Sequence, residues 1–541
     1  MQGLMQQYPL TLLPVLDRAE RLFSDKRIVT ATATGDTVET TYSAWADETR
    51  RLGRVFDDLG IGPGGRIGSF GFNTARHLAI YWAAPCSGRI LHTLNVRLFP
   101  EQLTYIVNHA EDDVVFVDRS LLPVLWPLAG KLPTVRYFVV MDDGGTNDVP
   151  DDPRILDYAE LIAAADPVEF EVDDENLAAA MCYTSGTTGN PRGVLYSHRS
   201  LYLHALSVMT SEGMQLAESD TLLPVVPMFH ANCWGLAQAP IFAGSNIVLP
   251  GPRMAPEALL ELISRYRVTI TAGVPTIWMG LLPLLDQYDL SALTRVICGG
   301  SAVPKALSEG FRAKLGFPIV HAWGMTETSP LGSLNHRRSS MSDWDDDRLA
   351  EERTRQGVPP VGVDARITEP GSTTELPWDD VATGELQVRG PWIAAGYYGD
   401  GIGTESFTAD GWLRTGDVAA INEYGSIRIV DRTKDLIKSG GEWISSVELE
   451  NHLMAHPAVA EAAVIGVPHP RWQERPLACV VLKSGATASA ADLIEFLRPL
   501  VAKWWLPDDV AFVAEIPKTS VGKFSKRRLR EQFADYRLPE A

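Results

Sequence analysis

Cysteine is scarce in this chain. Cys86, Cys182, Cys233, Cys298 and Cys479 are far apart, odd in number, and no two have zinc-ligand spacing. That excludes a disulfide framework or a zinc ribbon and fits buried free thiols in a reduced, cytoplasmic protein. Positive charge is also short. The chain has 48 Lys and Arg against 68 Asp and Glu, a formal net charge of −20. A nucleic-acid partner, which needs a basic face, is therefore not expected, although one local site can still hold a small anion. No apolar run approaches the ~18 residues that span a bilayer, so no integral membrane segment is expected. The N-terminal MQGLMQQYPLTLLPVLDRAERLF lacks a basic start and is broken at Pro14, which argues against a targeting segment. Internal repeats and low-complexity tracts are absent.

What remains is the composition of a globular protein, 45% apolar and 21% charged over 541 residues. That length exceeds one compact core and suggests two or three domains. Tyr42, Trp45, Ala46, Thr49, Leu52, Val55, Phe56 and Leu59 recur at helical spacing. Gly60, Gly62 and Gly65 then form G-x-G-x-x-G, but between a helix and a strand. A dinucleotide fingerprint needs the opposite order, so these glycines read as a plain turn. Strand-like runs follow at Asp113–Asp118, Tyr137–Met141, Leu177–Tyr183, Asn246–Leu249, Val268–Ala272, Val296–Cys298 and Ile319–Trp323, with helical stretches between several of them. This predicts an α/β fold with sheets covered on both faces.

Residues 337–357 are densely charged and read as a solvated surface helix and loop. Short strands follow in GELQVRG, WLRTGDVA and SIRIVD, which suggests a small β-barrel-like subdomain. The text changes again at DRTKDLIKSGGEW. Beyond it, a helix, two strands, a second helix and a basic tail suffice for a small α+β domain. The expected division is a large domain over 1–431, a hinge over 432–437 and a small mobile domain over 438–541.

The stretch YTSGTTGNPRGV, residues 183–194, cannot pack a core. It follows a buried strand and offers glycine backbone, hydroxyl donors and one guanidinium. On composition alone it fits either a flexible surface loop or a cradle for a polyphosphate. It is not a Walker A loop, since G-x-x-x-x-G-K-[ST] is absent.

The full string resembles the phosphate loop of the adenylate-forming superfamily, and other blocks follow in that family's order: PMFHANCWG, GGSAVP, HAWGMTET, GELQVRGPWIAAGYY, DGWLRTGDVA, VDRTKDLIKSGGEWIS and PKTSVGKFSKRRLR. The resemblance covers nearly the whole chain. It implies ATP-dependent conversion of a carboxylic acid to an acyl-adenylate with release of pyrophosphate, then transfer to a thiol. The implied ligands are ATP, Mg²⁺ and coenzyme A, and a homodimer is left open.

Laid on these residues, the resemblance implies that Thr184, Ser185, Gly186, Thr187, Thr188, Gly189 and Arg192 cradle the β- and γ-phosphates. Most relatives carry lysine where this chain has Arg192. Glu327 would hold Mg²⁺ with Thr184 sharing it, and Thr326 would contact the α-phosphate. Gly299, Gly300, Ser301, Ala302, His321, Ala322, Trp323, Gly324 and Met325 would line the nucleotide, Trp323 as a stacking face. Asp417 would accept from the ribose hydroxyls, with Arg432 near ribose and phosphate. Lys523 resembles the adenylation lysine, acting as charge builds on the reacting oxygens. Lys526, Arg527, Arg528 and Arg530 read as a solvated basic face. Lys434 resembles the hinge residue, and Lys438, Ser439, Gly440, Gly441 and Trp443 would line the pantetheine channel.

For the acid, the resemblance points to His230, Trp234, Val274, Gly300 and Gly324. Amino-acid adenylation domains have an aspartate in the block that carries His230, to pair the substrate ammonium. Here there is none, and an unpaired buried ammonium is costly. H-x-N-x-W resembles the medium- and long-chain fatty-acyl-CoA synthetases, with Trp234 as acyl-tunnel gate. The expected function is an acyl-CoA ligase for a hydrophobic acid. Alternatives are an enzyme that passes the acyl group to a carrier protein, and one competent mainly in one half-reaction.

Overall fold

A computed structural model describes residues 1, 3–184, 190–399, 401–440, 442–518 and 524–538. Four sheets organise the chain. The first has seven strands in the order Ile155–Asp157, Tyr137–Met141, Val114–Asp118, Arg66–Phe70, Ile90–Thr93, Ala178–Tyr183 and Gly193–Ser197. All pairs are parallel except the last, where Tyr183 faces Gly193 in an antiparallel hairpin. The helix expected near residue 42 spans Tyr42–Asp58, capped by Thr41, whose hydroxyl accepts from Ala44 N. It buries Trp45 and Phe56 completely, and Phe56 meets Phe116 of the sheet edge-on. Gly60, at φ 68°, turns the chain back toward the strand at Arg66–Phe70, as read from the sequence.

The second sheet has eight strands: Leu331–Leu334, Val320–Gly324, Arg295–Cys298, Ile270–Gly273, Thr221–Pro224, Asn246–Leu249, Arg27–Ala31 and Thr37–Thr41. Its core is parallel, and Leu331–Leu334 returns antiparallel on Val320–Gly324. Both sheets therefore reverse direction within a string singled out in the sequence, one after Tyr183 and one after Gly324. Crevices at such strand ends are where open α/β sheets take ligands.

The third sheet is antiparallel: Asp364–Thr368, Gly384–Arg389, Leu413–Ile421 and Ile427–Arg432. Beyond it, the strands Ile437–Ser439, Glu442–Ile444, Val459–His469, Gln473–Leu482 and Asp509–Phe512 make a separate sheet, packed by helices Ser446–Met454 and Ala490–Leu497 around Leu449, Leu453, Val464 and Leu493. Among the described residues no helix is long and apolar enough to cross a membrane, and the five cysteines are free and buried.

One expectation is corrected. The charged stretch 337–357 is not simply a solvated face. Its helix, Asp346–Glu352, buries Leu349 and Ala350, and Glu352 and Gln356 are also buried. Arg355 pairs with Glu352 at 3.1 Å and with Asp380 at 2.6 Å, so its charges are satisfied inside the fold. Gln356 Oε1 accepts from Ile429 N at 2.6 Å. Composition could not separate charges facing water from charges facing each other.

Candidate active site

The loop expected to bind phosphate is bounded by a hydrogen-bonded pair, Thr184 and Arg192. Thr184 N donates to Arg192 O at 2.9 Å, and Thr184 Oγ1 accepts from Arg192 N at 3.1 Å, which extends the hairpin by one rung. Ser185, Gly186, Thr187, Thr188 and Gly189 lie outside the described residues, as do Gly441 and Lys523. Arg192 reaches across to a distant segment. Its Nη2 meets Glu405 Oε1 at 2.6 Å, its Nη1 meets Ser406 Oγ at 3.1 Å, and its guanidinium lies 5.1 Å from the Tyr397 ring centroid.

Tyr397 also donates its hydroxyl to Glu327 Oε1 at 2.6 Å. Glu327 is 5% exposed, and burial raises its pKa; the tyrosine hydrogen bond and the more distant Arg432 and Arg192 oppose that rise. Among the described residues no cation touches it at ion-pair distance. A buried carboxylate of this kind is suited to a divalent cation. Among the described residues no group of three His, Cys, Asp or Glu could cage a metal. One carboxylate plus nucleotide phosphates is the donor set that Mg²⁺ favours, so the residues fit that ion. Thr326 is held alongside, its carbonyl accepting from the buried Tyr196 hydroxyl at 2.7 Å. Met325 N donates to Thr328 Oγ1 at 3.0 Å. At Gly324 a Cβ would stand 1.5 Å from Pro330 O, so the bulge between Trp323 and Gly324 requires glycine.

Asp417 is buried between two donors. Trp323 Nε1 donates to Oδ2 at 3.0 Å, and Arg432 Nε lies 3.2 Å from Oδ1. Asp417 and Arg432 are cross-strand partners, so the register itself brings them together. The Asp417 carboxylate is what raises the Arg432 pKa most. Each Asp417 oxygen keeps a second lone pair, enough to accept a hydroxyl. Trp323 is thus buried with its indole N–H committed to Asp417, and its ring packs where Gly332 leaves room. His321 is buried with Nδ1 3.2 Å from Thr354 O, and burial lowers its pKa to about 4, so it is neutral at pH 7. Gly300 turns at φ 85°, beside the exposed Ser301 and the half-buried Ala302.

The block holding His230 and Trp234 has an unusual backbone. Ala231, Asn232, Cys233 and Trp234 have φ of 40°, 49°, 58° and 56°, and Gly235 follows at 76°. A left-handed turn of L-residues costs about 1–2 kcal/mol per residue. It persists here because every member is buried and Cys233 N donates to His230 O at 3.0 Å. Trp234 is driven against Gly299: a Cβ there would stand 3.2 Å from Trp234 Cη2 and 2.7 Å from Ala322 O. Nothing in the residue types of A-N-C-W predicts this turn. A cavity next to it is lined by Thr93, Asn95, Leu98, Tyr183, Thr184, Phe229 and His230, among others. Val274 sits at the start of helix Pro275–Leu281.

In the small sheet, Lys438 and Trp443 pair across a hairpin, with Lys438 Nζ 5.5 Å from the indole, and Trp443 is half exposed. Ser439 is buried and takes Arg475 Nη1 at 3.0 Å, while Gly440 turns at φ 63°. Lys434 O accepts from Arg530, which pairs with Asp435. Lys526, read as part of a solvated face, is instead half-buried and paired with Glu450 at 2.8 Å and Ser446 Oγ at 2.6 Å. Sequence reasoning gave no role to Tyr397, Glu405 or Ser406. Tyr397 lay within a quoted block, but only the fold sets it between Arg192 and Glu327.

Comparison with known proteins shows the family to which the chain belongs. A family model described as AMP-binding enzyme matches residues 16–398, and one described as AMP-binding enzyme C-terminal domain matches residues 448–523. A 3-methylmercaptopropionyl-CoA ligase of Ruegeria lacuscaerulensis is 44% identical over 538 residues, 99% of each chain. A long-chain fatty acid CoA ligase of Thermus thermophilus is 45% identical, over 98% of this chain and 97% of its own. Among solved structures, an anthranilate CoA ligase in complex with anthranoyl-AMP superposes with a TM-score of 0.86 at 25% identity, covering 98% of both chains.

Proposed function

The chain belongs to the AMP-binding enzyme family, and from that premise we propose that it activates a hydrophobic monocarboxylic acid held between His230 and Trp234. The chain is an ATP-dependent acyl-CoA ligase, an AMP-forming acid–thiol ligase that uses ATP, Mg²⁺ and coenzyme A. In the first step a carboxylate oxygen attacks the α-phosphorus, the bond to the bridging oxygen breaks, and pyrophosphate leaves. In the second, the coenzyme A thiol adds to the acyl carbonyl, its proton is lost, and AMP leaves.

One observation carries the substrate assignment: the segment that holds His230 and Trp234, PMFHANCWG over 227–235, contains no carboxylate, and its left-handed turn buries Trp234. An ammonium there would be desolvated and unpaired, whereas an alkyl or thioether chain would gain from burial. The names of the similar ligases, for a methylmercapto acid, long-chain and medium-chain fatty acids, fall in that class.

The roles in this reading are those that the resemblance of the sequence blocks implies, and the contacts of Arg192, Glu327 and Asp417 are compatible with them. Arg192 and the backbone of its loop bind the β- and γ-phosphates. Glu327 and Thr184 are the groups that would hold Mg²⁺, which supplies positive charge against the phosphate oxygens when bound. Asp417 orients the ribose, and Arg432, set by Asp417, reaches the phosphate side. Gly300, Ser301, Ala302, His321 and Ala322 form the adenine wall, with Thr326 at the α-phosphate. Lys523 comes from the small domain to stabilise charge during adenylation. The boundary at 431, the hinge at Lys434, and a thiol channel along Lys438, Ser439, Gly440, Gly441 and Trp443 belong to the same reading. We place the reaction in the cytoplasm, in keeping with five free, buried thiols.

The test is mass spectrometry of the purified enzyme with ATP, Mg²⁺ and a panel of acids, with and without coenzyme A. Acyl-AMP from apolar acids that converts to acyl-CoA is expected. Turnover confined to amino acids would overturn the substrate assignment, and acyl-AMP that persists with coenzyme A would point to a carrier-protein acceptor.

A further inference from the structure

The phosphate-loop arginine is already engaged by a carboxylate. Glu405 Oε1 lies 2.6 Å from Arg192 Nη2, and Ser406 Oγ lies 3.1 Å from Nη1, so the two arms of one guanidinium are held by consecutive residues. The approach depends on Gly403. A Cβ there would stand 2.7 Å from Arg192 Nη1 and 2.5 Å from Tyr397 Cδ2. The guanidinium fork also gives a reason for arginine at position 192. An ammonium is a single point charge and cannot span Glu405 and Ser406 in this geometry. The pair is partly open to water, with side-chain exposures of 32% for Arg192 and 68% for Glu405. Such pairs are weak and exchangeable.

We propose that Glu405 is a positioning residue: it is the counter-ion that holds Arg192 in the ATP-free enzyme, yields it to the triphosphate, and reclaims it as pyrophosphate departs. The proposal rests on reading Arg192 as a phosphate-binding group. The chemistry is competition for one cation. A triphosphate carries more charge than one carboxylate and displaces it. Once the α–β bond is broken, pyrophosphate is no longer tethered through AMP, and a carboxylate poised beside Arg192 weakens its hold.

The test is Glu405→Gln, which keeps size and removes charge. MgATP affinity is read by calorimetry without any acid, and pyrophosphate affinity by product inhibition. Both should tighten by about two- to fivefold, the range expected for an exposed ion pair, while KM for coenzyme A stays fixed. In an Arg192→Gln background, titrated to the higher nucleotide concentrations it needs, Glu405→Gln should change neither constant. No tightening in the native background would overturn the proposal. Equal tightening in both backgrounds would also overturn it, since Glu405 would then repel phosphate directly. Ser406→Ala loosens the same arginine without altering charge and should act in the same direction by a smaller factor, which covers a poorly folding Glu405 variant. Failure of the ligase reading has a different signature, the absence of acyl-AMP with every acid, and leaves these binding constants interpretable.

Discussion

Replacing Trp234 with glycine tests the acyl pocket and the strained turn together. The indole is 7% exposed and packs within the main core, so its loss removes transfer energy and leaves a cavity. Large-to-small changes of this kind cost about 3–5 kcal/mol. Glycine accepts the φ of 56° that tryptophan occupies at a cost of about 1–2 kcal/mol. The net loss of stability should therefore be about 1–4 kcal/mol, and Trp234→Ala, which keeps the strain, should lose more. The same cavity should admit a longer acid. Each buried methylene contributes about 0.8 kcal/mol, roughly fourfold in binding. If the space of the indole takes about four methylenes, preference for the longer acid should rise by about 3 kcal/mol, on the order of 200-fold. The assay is pyrophosphate release with straight-chain acids of increasing length, taking the ratio of kcat/KM between variant and native enzyme. A rising ratio along the series supports the placement. A flat ratio accompanied by a changed KM for ATP would refute it, because Trp234 would then border the nucleotide and not the acid.

Two further predictions concern the nucleotide side. Lys523→Ala should lower acyl-AMP formation by orders of magnitude while sparing acyl-CoA formation from supplied acyl-AMP, and equal loss in both steps would refute the assigned role. His321 is neutral in the fold, with its pKa near 4, and takes a proton below about 6.5 when unfolded, so it removes stability as pH falls. Between pH 7 and pH 5 that loss is about 2 kcal/mol. Urea melts should show the stability advantage of the native chain over His321→Asn shrinking by that amount, and a pH-independent difference would contradict the buried neutral ring.

Legibility in the sequence followed the physics of each element. Val114–Asp118 and Tyr137–Met141 were readable because strands buried on both faces are continuous apolar runs. Arg27–Ala31 was not, because its place beside Asn246–Leu249 is set by packing across more than two hundred residues. Thr184, Glu327 and Asp417 could be singled out from the sequence because each sits in a contiguous string that resembles a family block. Tyr397 and Glu405 were not, since their partners come from separate segments. Trp323 shows the limit of reading a residue type. A tryptophan beside an adenine block suggests a stacking face, and the residue type did not show that its N–H is donated to Asp417 at 3.0 Å. Lys526 shows the same limit for charge, since a basic run says nothing of the buried Glu450 that faces it.

The contacts also divide the site by how much it must change when nucleotide arrives. Buried polar tips of aromatic residues need partners, and here two of them supply the partners of the key carboxylates. Trp323 fixes Asp417, and Tyr397 fixes Glu327, each through one donor on a rigid ring. Both carboxylates are nearly fully buried, so water does not compete for them and the fold sets their orientation before any ligand binds. Dipoles and charges placed in advance need little reorganisation at the moment of reaction. Arg192 is the exception. Its partner Glu405 is exposed, and under the proposed role the arginine would leave it to meet the phosphates. On the proposed roles, preorganisation would therefore be concentrated at Asp417 and Glu327, the groups for the ribose and the metal. Exchange would then be concentrated at Arg192, on the side of the β- and γ-phosphates, the part of the substrate that must be released after every turnover.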